Sequence, residues 1–182
     1  NACDRSAKDK PGGRLSQDTN VLIITLDTTR ADRLGCYGYT QAVTPTLDAL
    51  ASKGVVFDDA HTTVTLTLPS HASIMTGRYP REHGLRINGQ GRLGDELPTL
   101  ASLFKEKGYA TAAFVSSFVL DERYGLGRGF ALYDDEVGDP EAGEDSTESE
   151  RTADGTTQRA LKWLQASADK RFFCWIHYYD PH

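Results

Sequence analysis

Short apolar runs alternate along this chain with segments of helical period, and that alternation constrains the fold more than any other feature. The first run, NVLIITLD, is almost wholly apolar and ends in Asp27, which is typical of a buried parallel strand that presents a side chain at its carboxyl end. Three later runs are predicted strands, VVFDDAHT, YATAAFVSSF and RFFCWIHYYD. The segments TPTLDALASKG, LPTLASLFKEKG and TTQRALKWLQASADK are predicted helices, the first starting at Pro45 and stopping at Gly54. The sequence therefore predicts an α/β fold with a mostly parallel central sheet and helices on both faces.

Composition excludes several classes of protein. A formal net charge of −6 argues against a nucleic-acid-binding surface, because phosphate backbones are bound by clustered Lys and Arg. No apolar run approaches the roughly 18 to 20 residues of a transmembrane segment. The cysteines show no C-x-x-C spacing, so no zinc knuckle or thioredoxin motif is present, and Cys36 and Cys174 are predicted to pack as small core residues.

One polar stretch precedes the predicted domain of residues 20–182, and a second lies within it. Residues 1–19 read as a disordered leader, and an Ala-Cys pair near its start suggests an exported protein, whether periplasmic, extracellular or lipid-anchored. Residues 134–154 carry ten carboxylates without the spacing of a calcium loop, which predicts a solvated acidic loop. Because the chain stops just after a core-type strand, we expect a larger, C-terminally truncated domain.

The segment TLTLPSHASIMTGRYPREHG, residues 65–84, concentrates the unusual chemistry of the chain. Pro69 and Ser70 place a helix start directly after Thr67, so we expect free backbone N–H groups and the positive end of the helix dipole to face that hydroxyl. An anion held there would lie beside a potential nucleophile. The alternative is a plain helix that packs Ile74 and Met75.

A threonine hydroxyl is inert at neutral pH unless a base or a metal lowers its pKa. Asp27, at the end of the first predicted strand, is the main candidate ligand for such a metal, although it could instead cap the next helix. Asp32, His61 and His71 are weaker candidates.

Several motifs together resemble the N-terminal portion of the sulfatase family, within the alkaline phosphatase superfamily. They are NVLIITLDTTRADRLGCYGY, TPTLDALASKGVVFDDAHT, TLPSHASIMTGRYPREHG, GYATAAF and FFCWIHYYDPH, in the order expected of the family. The resemblance implies an alkaline-phosphatase-like fold, an anionic ester substrate, and a remaining half, absent from this chain, that completes the metal site. It also suggests export, since family members are often exported.

The chain departs from the sulfatase pattern at the positions that handle sulfate. Sulfatases carry C-x-P-S-R, whose cysteine becomes formylglycine, whereas this chain has Thr67 in that place and His71 instead of the arginine. Ser116 and Phe118 stand where the family commonly has a sulfate-binding Lys and His. Thr28 replaces the second of two adjacent metal-binding aspartates. Formylglycine is therefore not expected.

The same segment resembles the nucleotide pyrophosphatase/phosphodiesterases more closely, with their T-F-P-N-H and T-G-x-Y-P-x-x-H-G motifs. That resemblance implies Thr67 as a metal-bound nucleophile, Asp27 as a second metal ligand and Asn88 as a phosphate contact, although Asn88 followed by Gly89 is also a simple turn signal. His182, in YDPH, matches the histidine that sulfatases place beside the leaving group, and His177 is a weaker candidate. The implied cofactor is a divalent metal, with zinc preferred and calcium, magnesium or manganese as alternatives.

These observations predict a metal-dependent hydrolase of sulfate or phosphate esters, in which Thr67 favours phosphodiester chemistry. The alternatives are a phospho-group transferase and a non-catalytic binding domain that keeps the fold. The chain by itself is expected to be inactive, and its oligomeric state is not predicted. We expect His71 and His83 to hold the turn through hydrogen bonds to the backbone, and Arg78 to pair with a buried carbonyl or carboxylate.

Overall fold

Parallel strands form the centre of the fold. In the computed structural model, which describes residues 19–137 and 150–182, they are β1 Val21–Leu26, β2 Ala110–Phe114, β3 Leu132–Asp134 and β4 Phe172–Tyr178. Their spatial order is β1-β4-β2-β3, and every pairing is parallel. The register pairs Val21 with Phe173 and Leu26 with Tyr178, so the carboxyl ends of β1 and β4 lie side by side.

The described helices follow the predicted alternation. They are α1 Pro45–Lys53, α2 Thr67–Thr76, α3 Pro80–His83, α4 Leu100–Glu106 and α5 Ala153–Ala166, with short 3-10 turns at Ala31–Arg33, Gly35–Tyr37, Phe118–Leu120 and Glu122–Tyr124. The predicted start of α1 at Pro45 and its stop at Gly54 are both confirmed. Among these helices, none combines the length and the apolar character needed to cross a bilayer.

Two hydrophobic cores cover the two faces of the sheet. On one face Phe173 and Trp175 of β4 pack with buried residues of α2 and α4, such as Leu68 and Ala101. On the other face the alternate residues of β4 pack against α5. Each large side chain buried in this way contributes about 1.5–3 kcal/mol. The near-continuous apolar run of β4 is explained because both of its faces are covered, and the predicted fold class is confirmed.

Two secondary-structure predictions were wrong. Residues 55–62, VVFDDAHT, form no strand, and Val55 and Phe57 are 82% and 70% exposed, so no core covers this short apolar run. Conversely, the sequence analysis predicts no strand at Leu132–Asp134, where the structure has the edge strand β3, because three residues are too few for a period-two pattern.

The remaining predictions on domain limits fall largely outside the described residues. Residues 1–18 and 138–149, which hold most of the leader and of the acidic loop, are not described. At the described edges, the carbonyl of Thr19 accepts a hydrogen bond from Tyr109 Oη at 3.2 Å. Cys174 is buried as predicted, whereas Cys36 is half-buried.

Candidate active site

Thr67 is the first residue of α2, and its position is fixed by the apolar residues around it. Leu66 precedes it in extended conformation, and Leu68 and Met75 anchor the helix in the core. Pro69 lies in the first turn, where a missing N–H costs no helical hydrogen bond. Thr67 is half-buried at the end of the helix that faces the sheet edge.

Asp27 continues the pairing of β1, since its N–H donates to Tyr178 O at 2.9 Å. The residue is 8% exposed. One carboxylate oxygen, Oδ2, accepts from Thr67 Oγ1 at 3.1 Å and from His177 Nε2 at 3.2 Å. Residues from two neighbouring strands and from the start of α2 thus converge on one oxygen atom.

The pKa of Asp27 reflects these contacts. Burial raises the pKa of this carboxyl. The hydrogen bond from His177, the charges of His177 and His71, and the hydrogen bond from Thr67 together lower it by more, so the pKa lies below its ordinary value. Asp27 is therefore ionised at neutral pH, as a metal-binding carboxylate must be.

His177 is more central to the site than the sequence analysis proposed. Its side chain is fully buried in β4, its Nε2 donates to Asp27, and its Nδ1 has no partner within the described residues. The register pairs His177 with Thr25, two residues before Asp27. Because side chains two apart share a face of a strand, this register is the signal that would have found the contact.

His71 supports the turn from beneath. Its Nδ1 donates to Thr67 O at 2.7 Å, and burial together with the charge of His177 lowers its pKa to about 4. Its ring meets that of His177 edge-on, with the centroids 5.0 Å apart. Its Nε2 is buried without a partner among the described residues. His83 accepts from Leu85 N at 3.2 Å, so both histidines make the predicted backbone hydrogen bonds.

Asn88 reaches the start of α2. Its Oδ1 accepts from Leu68 N at 2.9 Å, while Gly89 adopts the positive φ of 72° that a turn requires. The amide Nδ2 is then the group that could contact an anion. The prediction of free N–H groups after Thr67 was wrong, because Leu68 N is bound by Asn88, Pro69 has none, and Ser70 N donates to Leu66 O.

Thr67 opens onto a groove of about 540 Å³, lined by residues 25–30 and by parts of 62–74. Thr28, on its rim, has a φ of 52°, a strained left-handed conformation for a β-branched residue. Its hydroxyl donates to Pro181 O at 3.3 Å. His182 stacks on Tyr179, with the ring centroids 4.5 Å apart, and does not line the groove, so the structure does not bring it to Thr67.

Other predicted or substituted positions have structural partners. Ser116 is buried between strand ends, where it donates to His177 O at 2.7 Å and accepts from Tyr179 N at 2.9 Å. Asp32 and His61, the weaker metal candidates, form exposed pairs with Arg30 and Asp59. The prediction for Arg78 was wrong, because its partner is the surface residue Glu82 and not a buried group.

The fit to a metal is partial. Within residues 19–137 and 150–182, no group of three or more His, Cys, Asp or Glu side chains forms a metal site. The carboxylate of Asp27 and the hydroxyl of Thr67 nevertheless meet at the groove, and oxygen donors of this kind suit hard divalent cations and zinc. The described residues thus supply part of a ligand set.

A parallel sheet with a carboxylate at one strand end, facing a hydroxyl at a helix start, defines an α/β protein with a polar site at the carboxyl ends of its strands. Its fold is the alkaline-phosphatase-like fold of solved sulfatases. The chain belongs to the Sulfatase family, whose model matches residues 19–182.

Known relatives are consistent with this assignment. A delta 4,5-hexuronate-2-O-sulfatase of Bacteroides thetaiotaomicron is 32% identical over 175 residues, which cover 93% of this chain and 35% of the relative. A solved 2-O GAG sulfatase superposes with a TM-score of 0.70 at 31% identity, covering 90% of this chain and 35% of that one. A phosphonate monoester hydrolase of Agrobacterium radiobacter shares the fold, with a TM-score of 0.72 at 23% identity, covering 90% of this chain and 41% of that one. The chain spans about a third of the length of the curated relative.

Proposed function

We propose that the protein containing this chain is a metal-dependent hydrolase of sulfate or phosphate esters, with Thr67 as its nucleophile. The observation that carries the proposal is the 3.1 Å contact between Thr67 Oγ1 and Asp27 Oδ2, two residues that line an open groove. Membership of the Sulfatase family supports ester hydrolysis as the reaction class.

The properties of Asp27 support the need for a metal. A carboxylate whose pKa lies below its ordinary value is a poor general base for a threonine hydroxyl. A divalent ion held by Asp27 and Thr67 would lower the pKa of that hydroxyl and offset negative charge on the ester. The other metal ligands would come from outside the described residues.

The neighbouring residues would hold the nucleophile in place. His71 binds the carbonyl of Thr67, and Asn88 binds the N–H of Leu68, so both polar groups of the peptide bond that follows Thr67 are restrained. With its Oδ1 so engaged, Asn88 has its Nδ2 left as the donor for an oxygen of the ester.

Similarity and site chemistry favour different esters. The curated relative is a sulfatase by name, which supports a sulfate ester. Thr67 cannot form the aldehyde nucleophile of sulfatases, and Ser116 is committed to the backbone where a sulfate-binding lysine is usual, which supports a phosphodiester. We therefore propose phosphodiesters as the preferred substrate. Transfer to an alcohol instead of water is the second candidate, because a threonine nucleophile serves both reactions.

The proposal is tested with the complete protein encoded by the reading frame that contains this chain. Thr67→Ala should reduce turnover of bis(4-nitrophenyl) phosphate by more than about 1,000-fold, because the nucleophile is lost, while Thr67→Ser keeps a hydroxyl and should retain measurable activity. Added glycerol distinguishes transfer from hydrolysis through the phosphorylated product.

Metal analysis of the same preparations provides the control. We expect bound zinc or another divalent ion in the unchanged protein and its loss in Asp27→Asn. Full activity of Thr67→Ala would contradict the nucleophile, and a metal-free protein inactive towards both this substrate and 4-nitrophenyl sulfate would favour a non-catalytic binding domain.

A further inference from the structure

Ser116 lies at the carboxyl edge of the sheet, just beyond the end of β2, and is fully buried. The backbone pairing of β2 with β4 ends at Phe114 and Ile176, whereas β1 pairs with β4 as far as Tyr178. The last residues of β4, which adjoin Asp27, therefore extend beyond the backbone pairing that holds this strand to β2 on its other side.

The hydroxyl of Ser116 continues the connection between these two strands. It donates to His177 O at 2.7 Å and accepts from Tyr179 N at 2.9 Å. Because a backbone carbonyl only accepts and a backbone N–H only donates, the direction of both hydrogen bonds is fixed. A single hydroxyl therefore binds the residues on both sides of Tyr178.

Asp27 is attached to the same part of β4 at two points. Its N–H donates to Tyr178 O at 2.9 Å, and its Oδ2 accepts from His177 Nε2 at 3.2 Å. Ser116 thus binds the backbone of the segment to which both the main chain and the carboxylate of Asp27 are hydrogen-bonded. A shift of the end of β4 would therefore move this carboxylate as well.

The next residue, Ser117, provides an internal contrast. It is also buried, but its hydroxyl has no hydrogen-bond partner among the described residues. Loss of the Ser116 hydroxyl would leave the carbonyl of His177 and the N–H of Tyr179 without the partner that they have now, whereas loss of the Ser117 hydroxyl would leave no described group unpaired. Two adjacent serines of equal burial therefore differ in what they hold.

We propose that Ser116 is a positioning residue for Asp27, because its hydroxyl holds the end of β4 against β2 and so fixes the place of the carboxylate in the groove. The binding of a metal by that carboxylate rests on the proposed function, whereas the attachment of Asp27 to β4 rests on the contacts alone. Residues that orient a metal-binding side chain from outside the ligand shell commonly change metal affinity by 10 to 100-fold. Loss of the Ser116 hydroxyl should act in this way.

Two readouts on the complete protein test this without requiring turnover. Ser116→Ala should lower the affinity for zinc, measured by competition with a chromophoric chelator, by about tenfold or more. In the metal-free protein, hydrogen–deuterium exchange at the amides of Asp27 and Tyr179 should become faster, because both depend on the end of β4. Ser117→Ala should leave the zinc affinity within about twofold and both exchange rates unchanged.

Thr111→Val is the control for a general loss of stability. Thr111 lies at the other end of β2, is equally buried, and makes the same pair of hydrogen bonds, to Gly129 O at 2.8 Å and from Ala131 N at 2.9 Å. This variant should destabilise the fold without changing the zinc affinity.

The outcomes separate the positioning role from the proposed function. Unchanged zinc affinity or unchanged exchange at Asp27 in Ser116→Ala would overturn the role of Ser116, and so would an equal loss of zinc affinity in Ser117→Ala or Thr111→Val. If the unchanged protein binds no divalent ion, the proposed function fails and exchange alone decides. Faster exchange at Asp27 in Ser116→Ala alone then supports the positioning role, and equal exchange in all variants overturns it.

Discussion

A single oxygen of Asp27 accepts two donors, and this sharing defines the role of each neighbour. The hydroxyl of Thr67 and the imidazole of His177 both point at Oδ2. Because His177 donates through Nε2 from a fully buried position, it fixes the rotation of the carboxylate. His177 is thus a positioning residue for Asp27, comparable to the partners that orient metal-binding side chains.

Replacing His177 tests this role. If Asp27 holds a metal as proposed, His177→Leu should lower the metal affinity of the complete protein by about 10 to 100-fold, because the carboxylate loses the hydrogen bond that orients it. His177→Gln keeps a donor near the position of Nε2 and should recover most of the affinity. Competition with a chromophoric chelator measures both variants. Affinity unchanged in His177→Leu, or lost equally in both variants, would count against orientation of Asp27 by this hydrogen bond.

At the scale of elements, the far edge of the sheet is held by one ion-pair cluster. Arg151 is paired with Asp134 at the end of β3, and it also donates to Val115 O at 2.9 Å and to Thr156 Oγ1 at 3.0 Å. It therefore joins the ends of β2 and β3 to the first turn of α5. Arg159 reaches the same carboxylate from the surface at 3.1 Å.

The two arginines should differ in their effect on stability. The side chain of Arg151 is 9% exposed and Asp134 is nearly as buried, so Arg151→Met leaves that carboxylate with only the half-exposed Arg159 as a cationic partner and should cost about 3 kcal/mol in the free energy of unfolding, the lower end of the range for a broken buried pair. Arg159→Met removes a half-exposed partner and should cost less than about 1 kcal/mol. Urea denaturation compares them, and equal losses would show that the buried pair does not hold these elements together.

How far the elements could be predicted follows from how each is buried. β1 and β4 are nearly continuous apolar runs, so their strand conformation and their parallel pairing could be predicted from the sequence. Residues 55–62 have the composition of a strand, but whether a core covers them is a tertiary property.

The same limit applies to the prediction of the site. The motif around Thr67 and the end of the first apolar run predicted Thr67 and Asp27 as site residues, and the structure brings them into contact. The contact of His177 depends on strand register, and the hydrogen bond from Leu68 N to Asn88 depends on a turn twenty residues away.

At the scale of the whole molecule, the site brings buried imidazoles and a carboxylate into one side of the core, which makes its stability depend on pH. His71 lies under Thr67 as a neutral ring. Burial likewise lowers the pKa of His83 in α3, which is hydrogen-bonded to Ser73 of α2. Both shifts have the same sign, so acid acts on α2 from two positions. Protonation of either ring is therefore expected to destabilise α2, the helix that carries Thr67.

The sign and size of this dependence can be stated for His71. Its pKa is about 4 in the folded protein, whereas the ordinary pKa of a histidine is 6.5, so between these limits the unfolded chain binds more protons and stability falls as the pH falls. The full shift corresponds to about 3 kcal/mol. His71→Asn keeps a donor for Thr67 O without a titrating group, so in the presence of a chelator its free energy of unfolding should vary less between pH 6.5 and 4 than that of the unchanged protein. Urea denaturation across this range measures both proteins. Parallel pH profiles would mean that the ring of His71 can be protonated without loss of the fold, and that another group accounts for any acid sensitivity.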